Sequence, residues 1–283
     1  MDIGIVSRAY AGVPVDECVS TMAGFGFKYT ELCFMFSEVN CWQYNGSKDM
    51  SALTDAFAAE TVAKFRKAGI KIMSVGAFSS LFEQDAEKQE INFKSYERYI
   101  QVAAANKIPF VSTESGFIPG RRGINADTYE KDFDYFKTNM IRLLDIAKGY
   151  GVSIAFEPCI LDLTPSAKRT RDFIVQCNRD NLKILLDPAN LFANSDEDDM
   201  FKYLKDHVAY FHGKDRKIND AYGRNVGDGD INWVKFLRLY HKYTEGTPII
   251  LEYCNKTNCA EIRDRVYKYD REATSISKDI ELI

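Results

Sequence analysis

No two cysteines stand in a C-x-x-C arrangement, and the seven thiols (Cys18, Cys33, Cys41, Cys159, Cys177, Cys254 and Cys259) are odd in number. That argues against a disulfide-stapled scaffold. The plain expectation is reduced, mostly buried cysteines. Basic charge is also scarce: 37 Lys and Arg stand against 41 Asp and Glu, a formal net charge of −4. Nucleic acid is therefore not expected as the main partner, because phosphate binding needs a concentrated basic field. No apolar run approaches the ~20 residues that span a bilayer, so no membrane association is expected. The opening MDIGIVSRAY lacks the basic start and long apolar stretch of a signal peptide, which places the expected location in the cytoplasm. No Pro/Gly/Ser-rich linker or low-complexity segment divides the chain. After the first strand stands SRAYAGVP rather than G-x-G-x-x-G, which disfavours a doubly wound dinucleotide-binding sheet.

What is present is a soluble, core-rich composition: 46% hydrophobic, 13% aromatic and 28% charged residues in 283. Short apolar runs alternate with longer amphipathic stretches. The runs predict strands at 2–7, 28–34, 70–76, 109–113, 152–157, 182–187, 207–212 and 248–252. The stretches predict helices at 14–25, 51–68, 89–106, 127–150, 166–177, 199–205, 231–243 and 259–270. Gly69 and Gly151 stand where helices end and strands begin. Asp230 is placed to cap the helix near Ile231. The acidic run from Ser195 to Asp199 reads as a helix N-terminus, with a solvated loop as the alternative. Eight strand–helix units predict an α/β fold, a single-domain (β/α)8 TIM barrel over residues 1–283.

Four of the runs end on a metal-binding residue type: VSIAFE on Glu157, LKILLD on Asp187, HVAYFH on His212 and PIILE on Glu252. Successive barrel strands would carry them side by side on the C-terminal rim, where barrel chemistry sits. Each alone reads more simply as a helix cap or a solvated rim residue. Together, three carboxylates and an imidazole suit a divalent metal: Mn²⁺ foremost, with Mg²⁺, Co²⁺ or Zn²⁺ also compatible. Two of the four are glutamates able to move protons.

The motifs FEP (156–158), LLDPAN (185–190), YFHGKD (210–215), GDGDINW (227–233) and LEY (251–253) resemble those of the xylose-isomerase-like barrel superfamily of sugar isomerases and epimerases. The resemblance covers nearly the whole chain. It implies that Glu157, Asp187, His212 and Glu252 are metal ligands and that Glu157 and Glu252 are the catalytic acid/base pair. It also implies proton transfer next to a carbonyl, through an enediolate, on a sugar, a sugar phosphate or a related keto-polyol. Two places depart from the pattern. Several ketose epimerases of the superfamily carry histidine three residues after the aspartate ligand, where Asn190 stands here. Asparagine can bond a sugar hydroxyl but cannot shuttle a proton. The frequent G-E-G turn reads Gly227-Asp228-Gly229.

Further residues near the expected rim are candidates for substrate binding: Asn190, Lys214, Arg216, Glu114 and Trp42. Lys214 and Arg216, with Arg121 and Arg122, would favour an anionic substrate if they turned inward. Glu114 reads equally well as a carboxylate paired with a basic neighbour. Trp42, Phe34 and Phe36 offer an aromatic wall for a sugar, or ordinary packing. Asp215 is expected to orient a basic neighbour or a ligand, and Trp233 to pack at its helix start. His207 and His241 fall outside the pattern.

Three other readings stay open. The same equipment could dehydrate a keto-polyol of the inosose or dehydroshikimate type. A non-catalytic metal- or sugar-binding barrel is a second reading. The abasic-site endonuclease branch of the superfamily is a third, disfavoured by only three histidines and the acidic balance. Related barrels often form dimers or tetramers, and the sequence leaves a homo-oligomer open.

Overall fold

Every predicted run becomes a strand in the computed structural model, which describes residues 1–220, 222–276 and 280–282. The strands are β1 (Ile3–Ile5), β2 (Tyr29–Leu32), β3 (Lys71–Gly76), β4 (Phe110–Thr113), β5 (Ser153–Phe156), β6 (Leu182–Leu186), β7 (Val208–Gly213) and β8 (Ile249–Leu251). All neighbours pair parallel in chain order, and β8 closes on β1 through Ile3–Ile249, Gly4–Ile250 and Ile5–Leu251. The chain is a closed (β/α)8 barrel. Both faces of such strands are covered, which is why the runs read as continuously apolar rather than alternating.

The helices are α1 (Val15–Gly24), α2 (Asp55–Lys67), α3 (Ala86–Ala105), α4 (Tyr129–Gly149), α5 (Ala167–Cys177), α6 (Pro188–Leu191), α7 (Glu197–Leu204), α8 (Trp233–Tyr243) and α9 (Cys259–Ser275). Their starts follow local side-chain chemistry. Thr54, Asp85, Ser166 and Asp196 each accept a backbone N–H of the first turn. The acidic run is thus a helix start, as expected. Asp230 does not cap α8; Asn232 does, accepting from Lys235 N at 3.0 Å, while Asp230 accepts from Ile218 N. Gly69 and Gly151, at φ +77° and +71°, let α2 and α4 turn directly into β3 and β5. Two short elements escaped the periodicity: a 3₁₀ turn at Ser7–Tyr10 and the four-residue α6. Neither is long enough to show a helical repeat.

The main core lies between the barrel wall and the helices. In one sector Phe136 of α4 stacks on Phe173 of α5 at 4.9 Å, and both rings contact Phe156 of β5. A smaller cluster of Val6, Ala155, Leu185, Tyr210 and Ile250 fills the barrel interior. All seven cysteines are free and buried. No helix among the described residues is long and apolar enough to cross a membrane.

Phe173→Ala removes the ring that joins α4, α5 and β5. The expected cost is about 3–5 kcal/mol, read as a lower urea midpoint at unchanged slope.

Candidate functional site

The strand ends bring four side chains to one point. Glu157 follows β5, Asp187 follows β6, His212 lies in β7 and Glu252 follows β8. One ligand atom from each lies within 4.8 Å of the others, and all four residues are buried. Backbone pairing fixes the height of the rim: Glu157 N donates to Thr113 O at 2.8 Å and Glu252 N to Gly213 O at 3.1 Å. Asp187 doubles as the cap of α6, its Oδ1 accepting from Ala189 N at 2.9 Å, so Oδ2 is left facing the cluster. His212 Nδ1 lies 3.3 Å from Glu157 Oε1 and 3.5 Å from Glu252 Oε2. Asn190, carried on α6, donates to Glu157 Oε1 at 2.7 Å.

This donor set fits a divalent cation. Metal–ligand bonds of about 2.0–2.2 Å place opposite ligands roughly 4 Å apart, close to the observed spread. Asp187 Oδ2 and Glu252 Oε2 are buried and accept no well-aligned hydrogen bond, as oxygens meant for an ion would. Lys214 partly meets their charge, with Nζ 2.6 Å from Asp187 Oδ2 and 3.0 Å from Glu252 Oε2. Lys214, a substrate-binding candidate in the sequence, thus reaches Asp187 and Glu252 with its ammonium and also lines the adjoining cavity.

Two site residues were not foreseen. Glu31 of β2 is fully buried behind His212, its Oε2 3.5 Å from Nε2. The same oxygen accepts from Tyr210 Oη at 2.6 Å and Ser112 Oγ at 2.9 Å, and Ser74 Oγ lies 2.7 Å from Tyr210 Oη. Arg8, on the 3₁₀ turn after β1, forms an ion pair with Glu252 and lies over the Phe78 ring at 5.1 Å. A charged residue inside YTELCF was the available signal for Glu31, since a carboxylate in a strand buried on both faces must have a partner. Arg8 had no such signal in SRAYAGVP.

The carboxylates sit in unlike surroundings. Burial pushes Glu157 up to about 8, against the pull of His212 and Lys214. Burial also opposes charge on Glu252, but Arg8, Lys214 and His212 hold it below the usual carboxylate range. Glu31 is brought down to about 2 because His212, Arg8 and Tyr210 outweigh its burial. Burial would depress His212, yet Glu157 and Glu31 raise it well above its ordinary value. An ion at Nδ1 would displace that proton.

A cavity of about 290 Å³ opens beside the cluster, lined among others by Trp42, Tyr44, Glu114, Arg122, Arg216 and Tyr253. Trp42 and Glu114, both substrate-binding candidates in the sequence, line this cavity. Glu114 accepts from Tyr44 Oη at 2.5 Å and lies 3.5 Å from Arg122 Nη2. Phe34 and Phe36 are not part of the wall. They are packed in the core between sheet and helices, 0% and 2% exposed, where burial of apolar rings is worth more than contact with a polar cavity. Arg121 is not among the residues lining the cavity and pairs with Asp132 at 3.3 Å. His241 lies elsewhere, with Nε2 2.6 Å from Asp270.

Asp215 does not orient a basic side chain. Its carboxylate gathers the loop after β7, accepting from the N–H groups of Arg216, Gly227 and Ile231 and from Trp233 Nε1 at 2.8 Å. Gly229 is needed there, because a Cβ would come within 2.1 Å of Asp215 Oδ1. Asp228 points outward to Arg265 at 2.6 Å. Tyr253 holds a left-handed backbone (φ 61°) immediately after Glu252, strain of a kind that collects at functional sites.

Comparison with known proteins agrees with this architecture. A protein of Mycoplasma pneumoniae described as a probable L-ribulose-5-phosphate 3-epimerase, UlaE, is 27% identical over 128 residues. That match spans 44% of this chain and 42% of the relative. A crystal structure of a D-tagatose 3-epimerase-like protein superposes with a TM-score of 0.79 at 14% identity, over 97% of this chain and 99% of that one. The crystal structure of the IOLI protein with a bound zinc atom gives 0.71 at 14% identity, over 97% and 96%. The family model described as xylose isomerase-like TIM barrel matches residues 19–278, and the chain belongs to that family.

Proposed function

We propose that this protein is a divalent-metal-dependent isomerase or epimerase of a ketose or ketose derivative, working by proton transfer between Glu157, Glu252 and the substrate. The observation that carries the reading is the convergence of both glutamates on His212 Nδ1, at 3.3 and 3.5 Å, beside a cavity of monosaccharide size. The sugar epimerases among its relatives support the substrate class.

Glu157, Asp187, His212 and Glu252 would hold the ion, with Mn²⁺ the first choice for a set of three oxygens and one nitrogen. When bound, it would polarise the substrate carbonyl and stabilise the developing oxyanion. The remaining work falls to side chains. One glutamate takes the proton from the carbon next to the carbonyl, leaving an enediolate. Return of a proton by the other glutamate to the opposite face of that carbon inverts it. Return to the neighbouring carbon moves the carbonyl instead. Asn190 fixes the Glu157 carboxylate through its 2.7 Å bond, so the reacting oxygen stays oriented. Trp42 and Tyr44 form an aromatic stretch of the cavity wall against which the apolar face of a sugar would pack. Glu31 positions His212: it faces Nε2 and so leaves Nδ1 turned to the ligand group.

In D₂O with Mn²⁺, a panel of ketoses and ketose phosphates is expected to show solvent deuterium entering the carbon beside the carbonyl of at least one member. Chelation should stop the exchange and added Mn²⁺ restore it. Glu157→Gln and Glu252→Gln should each slow it about 10²–10⁴-fold. Full exchange in both variants would rule out the two-glutamate scheme.

Glu31→Gln should weaken Mn²⁺ binding about 10–100-fold, followed by the free-ion electron paramagnetic resonance signal, with the circular dichroism spectrum unchanged. Wild-type affinity in that variant would show that Glu31 does not support the imidazole.

A further inference from the structure

Four cationic side chains line the cavity beside the cluster: Arg8, Arg122, Lys214 and Arg216. Three are matched. Arg8 pairs with Glu252, and Lys214 with Asp187 and Glu252. Arg122 lies 3.5 Å from Glu114 and 3.8 Å from Asp162, with its guanidinium over the Phe117 ring at 4.9 Å. Arg216 differs. It is only 4% exposed, and no carboxylate among the described residues forms an ion pair with it: Asp220 feels its charge, but from beyond contact distance, and is itself paired with Arg224. Its Nε and Nη1 are buried without any acceptor. Its neighbour Asp215 cannot serve, because both of its oxygens are engaged by the loop.

An unpaired buried guanidinium is costly and calls for a counter-charge. Its backbone is nevertheless held firmly. Arg216 N donates to Asp215 Oδ1 at 2.8 Å, Arg216 O accepts from Asp230 N at 3.0 Å, and Gly229 packs so closely that a Cβ would lie 2.5 Å from Arg216 O. The loop therefore presents this cation rather than letting it swing into solvent. On the same cavity wall the indole N–H of Trp42 is also buried without an acceptor. Both are donors waiting for oxygen atoms, and neither is an acceptor for a hydroxyl.

We infer that Arg216 marks an oxyanion subsite in the cavity, and that the substrate carries a phosphate or carboxylate group which supplies the missing counter-charge. This deepens the proposed function, since it rests on that reading for the rest of the ligand but not for the anion. A neutral ketose would leave the guanidinium unpaired. An anionic one gains a charge-assisted contact and removes the cost of the buried charge at once.

The test uses the full chain loaded with Mn²⁺ in phosphate-free buffer, titrated calorimetrically with inorganic phosphate and, separately, with acetate. Wild type is expected to bind at least one of them. Arg216→Met should weaken that binding at least ~10-fold, while binding Mn²⁺ as tightly as wild type. Without added anion, Arg216→Met should melt no lower than wild type, because it removes an unpaired buried charge. If that variant is instead unstable, Arg216→Lys carries the test. It keeps the charge without the planar fork, and a loss of about 3-fold or more is expected. Wild-type anion affinity in either variant overturns the inference.

Deuterium exchange separates the two readings. Exchange that favours phosphorylated or carboxylated ketoses over neutral ones, with the preference lost in Arg216→Met, supports both and identifies the group. Exchange on neutral ketoses with no such preference overturns the subsite and leaves the isomerase reading standing. Arg216-dependent anion binding without exchange on any ketose upholds the subsite and removes the isomerase reading.

Discussion

Everything at the mouth of this barrel answers to the crowding of negative charge around one imidazole. Glu31, Glu157, Asp187 and Glu252 all approach His212 in a space almost closed to water. Such a group would repel itself apart unless cations or donors were built in. Arg8 and Lys214 supply fixed positive charge, and Tyr210 and Ser112 supply hydroxyl donors to Glu31. Asp187 Oδ2 and Glu252 Oε2 both rest on the Lys214 ammonium, at 2.6 and 3.0 Å, without a well-aligned hydrogen bond. A divalent ion held there would add the Lewis acid that the proposed proton abstraction beside a carbonyl uses.

The barrel makes this crowding sustainable. Parallel pairing from β4 through β8 sets each carboxylate at a fixed height, and the packed aromatic sector behind β5 keeps the wall from spreading. Repulsion at the rim is thus opposed by burial elsewhere, the general arrangement by which folds hold costly sites. Loops then decide what the rim acts on. The segment after β7, gathered by Asp215 and Trp233, carries both Lys214 and Arg216 to the cavity. Lys214 pairs with Asp187 and Glu252, whereas Arg216 lines the cavity without an ion pair.

Much of this was legible from residue order. The eight apolar runs predicted the strands because parallel barrel strands are buried on both faces, and the residues ending four of them are the ones that converge. Residues whose position depends on tertiary packing were harder to read. Arg8 reaches Glu252 across 244 positions of sequence, and nothing local announces that contact. Glu31 was hidden inside a strand, where only its charge was out of place. Phe34 and Phe36 read equally as a sugar wall or as ordinary packing, because aromatic residues after a strand serve both, and only the three-dimensional core separates the two. Lys214 and Arg216, two residues apart, looked equivalent as sequence. Their difference lies in whether a carboxylate happens to face them.

The most direct test is anomalous diffraction at the manganese edge from crystals soaked in Mn²⁺. The account predicts one strong peak among Glu157, Asp187, His212 and Glu252, with donor atoms at about 2.0–2.3 Å. A crystal with no peak there, and Lys214 still bridging Asp187 and Glu252 at saturating Mn²⁺, would contradict it.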